Sequence, residues 1–333
     1  MEPASHAPDR IADAGKLAAP PAMRIGVVRN PRSHRNRGFS DGMETHPELM
    51  FTAPATREEL TEALADFAAR GLDLLIIDGG DGTVRDVLTR GGPIFGDNWP
   101  PMLVLPKGKT NALAVDLDMP SRMTLEDALA SIPAARRVAR RPMLIERQDE
   151  TAPPVMGFIL GAGVFNAAID AGQVAHRFGA FQGFAVAVTA GFGVIQALFG
   201  FGRSRWRELV RMRILTGAER SAVANTNTGT GEERFASGFS TLDDFPLGMK
   251  PFADHRGGIR YLVLDRPRRR AMALAPAILM GLDKPWLEKL GVHRGAAEEI
   301  ELDLGGRFIL DGEAFPPGDY CMRLGPELTF LVP

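Results

Sequence analysis

Residues 72–78, LDLLIID, are apolar at nearly every position rather than at alternate ones, and GGDGT follows at once. A strand buried on both faces has this composition, whereas a half-exposed strand alternates and a helix spaces its apolar residues by three and four. Such strands belong to parallel sheets, whose crossover helices cover both faces. The flanking sequence fits. RIGVVR at 24–29 reads as a strand that stops at Asn30-Pro31, because the residue before proline is pushed out of helical geometry. Between the two strands lies the best-marked helix, 56–70, where Thr56 and Glu59 spell a capping box, Leu60, Leu64 and Phe67 share one face, and Gly71 marks the stop. A helical pattern over 84–90, a buried strand at 102–105 (MLVL) and a helix running to Leu117 continue the alternation. Both polar loops, GGDGT at 79–83 and PKGKTN at 106–111, end strands, and that is where open α/β sheets bind ligands.

After about Pro142 the period changes to two. Residues 210–215 and 299–304 alternate charged with apolar positions, Gly305-Gly306 reads as a turn into a strand at 307–310, and 320–324 and 328–332 are further strands. The second half is therefore expected to be antiparallel β, with a cleft between the halves. NTNTGTGEE at 225–233 is expected to be a mobile loop.

Composition narrows the function. With 39 basic and 41 acidic residues and a formal charge of −2, the chain lacks the basic excess of a dedicated nucleic-acid binder. A 45% hydrophobic content over 333 residues excludes wholesale disorder and fits one large domain or two. The single cysteine, Cys321, can make neither an intrachain disulfide nor a thiolate metal site, which fits a reducing, cytoplasmic setting. Residues 1–22 lack the apolar run of a secretory signal and read as a disordered tail. Residues 178–201 are apolar but broken by polar residues and glycines, so they suit a buried helix or a lipid-pocket wall better than a membrane span.

Glycines bunched after a buried strand let backbone N–H groups approach a phosphate, and the next helix adds its dipole. Gly79, Gly80, Gly82 and Thr83 form such a cradle, and Asp81 within it suits a Mg²⁺ that bridges phosphates better than an anion. In the second loop, Gly108-Lys109-Thr110 superficially suggests a Walker motif, but the glycine required five positions earlier is Leu103. Lys107 and Lys109 are nevertheless placed to meet phosphate charge, while Thr110 and Asn111 can cap the next helix or contact a nucleotide.

NPRS at 30–33, GGDGT at 79–83, LPKGKTN at 105–111 and LDGE at 310–313 occur in the order that resembles the diacylglycerol kinase catalytic-domain family, which includes sphingosine and ceramide kinases. The resemblance implies an α/β nucleotide-binding domain (23–142) of the NAD kinase and phosphofructokinase type and a β-sandwich lipid-substrate domain (143–333), whose last strand is able to return to the first. It implies transfer of the ATP γ-phosphoryl group to a lipid hydroxyl, with Mg²⁺. By this analogy Asn30, Ser33, Asn111 and the loop residues Lys107, Gly108, Lys109 and Thr110 contact nucleotide. Asp81 joins the metal network, Asp311 is the general base with Asp81 as competitor, and Glu313 supports nucleotide or metal. The chain departs from the pattern at Ala112, where many members carry a metal-side aspartate, and at His34, where they carry glycine.

Two other readings stay open: an NAD kinase or other small-molecule kinase sharing GGDGT, and a non-catalytic lipid-binding regulator. The partners expected are a lipid alcohol and, through Arg203, Arg205, Arg207, Arg211, Arg213 and Trp206, the cytoplasmic face of an anionic membrane, with edge-strand placement as the competing explanation. A homodimer is left open. Which lipid alcohol is the substrate is not legible.

Overall fold

The structure is a computed structural model that describes residues 23–36, 49–166, 208–226 and 232–333. The N-terminal tail, the apolar stretch 178–201, Arg203, Arg205, Trp206 and Arg207 lie outside the described residues.

The first part is a mixed α/β sheet. Strand β1 (Ile25–Arg29) pairs in parallel with β2 (Leu49–Thr52) on one side and β3 (Leu74–Gly79) on the other, and β3 continues to β4 (Met102–Pro106). β1, β3 and β4 are buried at every position, as their unbroken apolar runs require. The next strand comes from the far end of the chain: Leu328–Val332 lies parallel to β4 and antiparallel to the edge strand Arg136–Arg140. The chain adds β2 on one side of β1 and β3 on the other, so the strand order reverses there and the carboxyl ends of β1 and β3 open a crevice at the switch point.

Helix α1 (Arg57–Ala69) buries Leu60, Leu64 and Phe67, and its N-cap Thr56 accepts from the Glu59 amide. The capping box is only half made, because the Glu59 carboxylate reaches past Thr56 to the Ala55 amide. Helix α2 (Asp81–Phe95) starts three residues before the expected Val84, since the glycine segment supplies its N-cap, Gly80, and its first turn. Helix α3 (Ala112–Asp116) follows the second loop.

The second part consists of antiparallel sheets. One is centred on Val210–Thr216, Glu299–Leu304, Gly318–Leu324 and Met143–Arg147; the other on Ile259–Leu264, Ala236–Ser240, Ile159–Gly163 and Phe308–Leu310. Met143, Ile145, Met212 and Ile300 from the first pack with Leu160, Phe239, Val263 and Phe308 from the second in one core, which makes the pair a sandwich. The Gly305-Gly306 turn leads into the strand Phe308–Leu310, as expected, without pairing it to the strand before the turn. Glu299–Leu304 lies in one sheet and Phe308–Leu310 in the other, so the glycines carry the chain across. A second crossing occurs at Phe158, between Val155–Gly157 and Ile159–Gly163. The segment expected to be a mobile loop is anchored at its start: the Thr226 amide and hydroxyl both donate to buried Asp265, while residues 227–231 are outside the described set.

Candidate active site

The expected nucleotide loops meet at the carboxyl edge of the first sheet. Asn30 Nδ2 donates to Thr83 Oγ1 at 2.9 Å, joining the ends of β1 and β3 across the switch point. The Lys107 amide donates to the Gly79 carbonyl at 3.0 Å, which brings in the end of β4. At that junction two glycine backbones lie back to back: a Cβ on Gly80 would sit 2.7 Å from the Gly108 Cα, so neither position accommodates a side chain. Ser33 is buried in the turn after Asn30, and its amide donates to the Asn30 carbonyl.

Beneath this surface is a network that the sequence reading did not single out. Arg29 and Asp78 are opposite each other in the β1–β3 register and form a buried ion pair at 2.6 Å. Asn36 Nδ2 donates to both the backbone carbonyl and the carboxylate of Asp78. The signal was available in sequence, because a charged residue ends each of two adjacent, otherwise apolar strands.

The second loop differs from expectation in two ways. Asn111 does not cap α3 with its side chain; at φ 51° it is left-handed, and its amide group turns back to bridge the Gly108 N–H and carbonyl. Lys107 Nζ donates to the Met123 carbonyl at 2.9 Å instead of projecting from the loop. Lys109 and Thr110 are exposed at the loop tip.

Asp81, the first residue of α2, reaches the start of α3, where Oδ1 accepts from the Leu113 amide at 3.3 Å. Burial raises the Asp81 pKa, against the pull of amides at Ala112, Leu113 and Asn111. Ala112, the expected departure from the family pattern, is itself buried.

Asp311 arrives from the sandwich. Its carboxylate accepts from the consecutive amides of Phe158 and Ile159, each at 2.9 Å, which the strand crossing at Phe158 turns toward it. Gly157 makes room, since a Cβ there would lie 2.5 Å from Asp311 Oδ2. Burial first and the Asp81 charge second push the Asp311 pKa up to about 7, in spite of both amides and Arg85. Asp81 from the α/β part thus lies near enough to Asp311 from the sandwich for its charge to disfavour ionisation of Asp311.

Arg85, on α2 and buried, locks this meeting. Its Nη1 donates to the Leu310 carbonyl at 3.2 Å, and its guanidinium pairs with Asp86 and Glu313. Glu313 also pairs with Arg57, so the structure engages this expected metal or nucleotide ligand with two guanidiniums. Arg85 was missed in the sequence; the adjacent charges Arg85 and Asp86 between Val84 and Val87 were the available sign. Thr89 completes the junction by exchanging hydrogen bonds with the Met156 backbone, so α2 acts as the partner of the edge strand Val155–Gly157.

Among the described residues, no group of three or more His, Cys, Asp or Glu side chains is arranged to hold a metal by itself. An acid-poor cradle fits Mg²⁺ in the form it takes with nucleotides, held largely by phosphates and water with one or two protein carboxylates. Asp81 is the carboxylate in place for it.

The glycine loops at the carboxyl edge of the α/β sheet thus stand beside an aspartate supplied by the β-sandwich. Residues 25–142 match the family model of the diacylglycerol kinase catalytic domain. Among solved structures, a Bacillus anthracis str. Sterne protein provisionally assigned as a diacylglycerol kinase superposes with TM-score 0.64 at 13% identity, covering 93% of this chain and 97% of its own. Another, described as a diacylglycerol kinase of the same strain, gives TM-score 0.60 with the same identity and coverage. At this identity the likeness establishes the fold. No curated protein matches the sequence.

Proposed function

We propose that the protein is an ATP-dependent lipid kinase that transfers the γ-phosphoryl group to the hydroxyl of a membrane lipid. The observation that carries this reading is the meeting of Asp81 and Asp311: a carboxylate at the phosphate cradle opposite one whose pKa sits at about 7. Phosphoryl transfer requires a cradle, charge neutralisation and a proton acceptor on the attacking hydroxyl. The N-terminus of α2, with Gly80 and Gly82, binds the phosphates through its amides, while the Thr83 amide closes the turn on the Gly80 carbonyl and Asn30 holds the Thr83 side chain in place. Asp81 would hold Mg²⁺, which would supply neutralisation of the charge on the phosphates. Asp311 accepts the hydroxyl proton, and a pKa near 7 suits a base at neutral pH. The Phe158 and Ile159 amides fix its carboxylate, and Arg85 fixes its backbone. Asp311 lies outside the matched segment 25–142, so its role rests on geometry.

The test is transfer of radiolabelled phosphate from ATP to a panel of lipid alcohols: diacylglycerol, ceramide and a sphingoid base. The reading expects one to be phosphorylated in a Mg²⁺-dependent way and Asp81→Asn to lose nearly all transfer while melting at the wild-type temperature. Phosphorylation of NAD in their place would contradict it.

A further inference from the structure

The basic segment from which membrane contact was expected does not present free charge in its described part: Arg211 pairs with Asp303 at 2.7 Å and Arg213 with Glu232 at 3.8 Å. A different surface has the required character. The turn Pro246–Gly248 carries Leu247 at its tip, 92% exposed and in the left-handed region at φ 61°. A branched side chain held in that conformation in water is a double cost that packing within the chain does not offset. The base of the turn is pinned by the Phe245–Phe252 edge contact, with Arg260 over the Phe252 ring.

Beside the turn stands a small helical cap. Ile278 and Leu287 point into its core, while Leu279, Met280 and Trp286 are exposed. The cap and the turn are joined: the Lys250 amide donates to the Leu279 carbonyl, and Arg294 bonds the carbonyls of Pro251, Leu282 and Ile278. The exposed cations Lys250, Arg256, Arg268, Arg269, Arg270, Lys284 and Lys289 come from these segments, against Asp243, Asp244, Asp254, Asp283 and Glu288, which leaves a positive excess in a chain whose total charge is −2.

We propose that Leu247, Leu279, Met280 and Trp286 insert into an anionic bilayer, with the surrounding cations on the headgroups. The bilayer as occupant rests on the lipid-kinase reading and on charge: a second copy would oppose one positive rim with another, whereas anionic headgroups complement it. Apolar side chains with an interfacial tryptophan and basic residues are the composition such contact uses. The position is also suitable. Asp116, the last residue of α3, accepts from the Asp243 and Asp244 amides, so the turn hangs from one end of the helix whose other end meets Asp81.

The experiment is flotation with phosphatidylcholine vesicles, with and without phosphatidylglycerol, using the wild type, Leu247→Asp/Met280→Asp and the milder Leu247→Ser, alongside transfer to a short-chain, monomeric lipid alcohol. Expected are salt-sensitive binding to anionic vesicles, a loss of about tenfold or more in the double variant, and unchanged transfer to the monomeric substrate. Trp286 fluorescence should shift to the blue on anionic vesicles, and Trp286→Phe should lose the shift; this readout holds if the double variant does not fold. Equal vesicle binding by wild type and Leu247→Ser, with no Trp286 shift, overturns the proposal. Self-association that these variants abolish, without vesicle binding, overturns it in favour of a second copy. Absence of transfer to every lipid alcohol with vesicle binding intact would count against the kinase reading and leave the docking surface standing.

Discussion

Asp311 occupies a left-handed backbone position, φ 44°, and carries a carboxylate that two amides hold while burial and Asp81 push its pKa to about 7. A carboxyl whose folded pKa lies above its ordinary 3.8 favours the native state while both states are protonated, and that contribution is lost as pH climbs through about 7. The metal-free protein should therefore lose stability between about pH 4 and 8 relative to Asp311→Asn, read as a narrowing gap between their melting temperatures. A constant gap would remove the raised pKa. Arg85 gives a second prediction at this scale. Arg85→Ala leaves the Leu310 carbonyl without its buried donor and Glu313 with only Arg57, and should destabilise by about 1–3 kcal/mol, measured by denaturant unfolding. Sequence indicated Asp81 because its glycine-rich loop is local, and Asp311 through the resemblance carried by LDGE at 310–313. It did not indicate Gly157 or the Phe158 and Ile159 amides, because a strand crossing between sheets leaves no periodic mark.

Glycines at the start of α2 concealed three helical residues, since glycine is a weak helix former and its neighbours read as loop. The structure separates the roles of two of them. A Cβ on Gly80 would strike the Gly108 backbone at 2.7 Å, whereas on Gly82 it would meet nothing closer than 3.9 Å. Gly80→Ala should therefore lower the melting temperature and separate the two loops. Gly82→Ala should fold as well as the wild type or better, by up to about 1 kcal/mol from helix propensity, yet bind ATP more weakly because its methyl group faces the cradle. Calorimetric titration with a melting curve on both variants checks this; equal ATP affinity for Gly82→Ala and the wild type would mean that phosphate does not approach that turn. Periodicity indicated the strands β1, β3 and β4 because their local burial is complete, but the partners across Gly305-Gly306 depend on which sheet receives each strand, a non-local choice.

The molecule closes by returning its last strand to its first sheet, where Leu328, Phe330, Leu331 and Val332 join the α/β core. A fragment ending at residue 142 lacks that strand and leaves β4 unpaired on one side, so it should fail to give a cooperative melt, even though the family match ends there. The second tie between the parts is Asp116, buried and accepting from Arg140 Nε at 2.6 Å and from two amides of the sandwich. Among the described residues no helix is long and apolar enough to cross a membrane. The central claim is that Asp311, delivered by the sandwich, acts as base at a cradle built by the α/β part. The direct measurement is single-turnover phosphoryl transfer with ATP titration on the same Asp311→Asn preparation: transfer should fall by about 10²–10⁴-fold with ATP affinity almost unchanged, whereas near-normal turnover, or a defect confined to ATP binding, would contradict it.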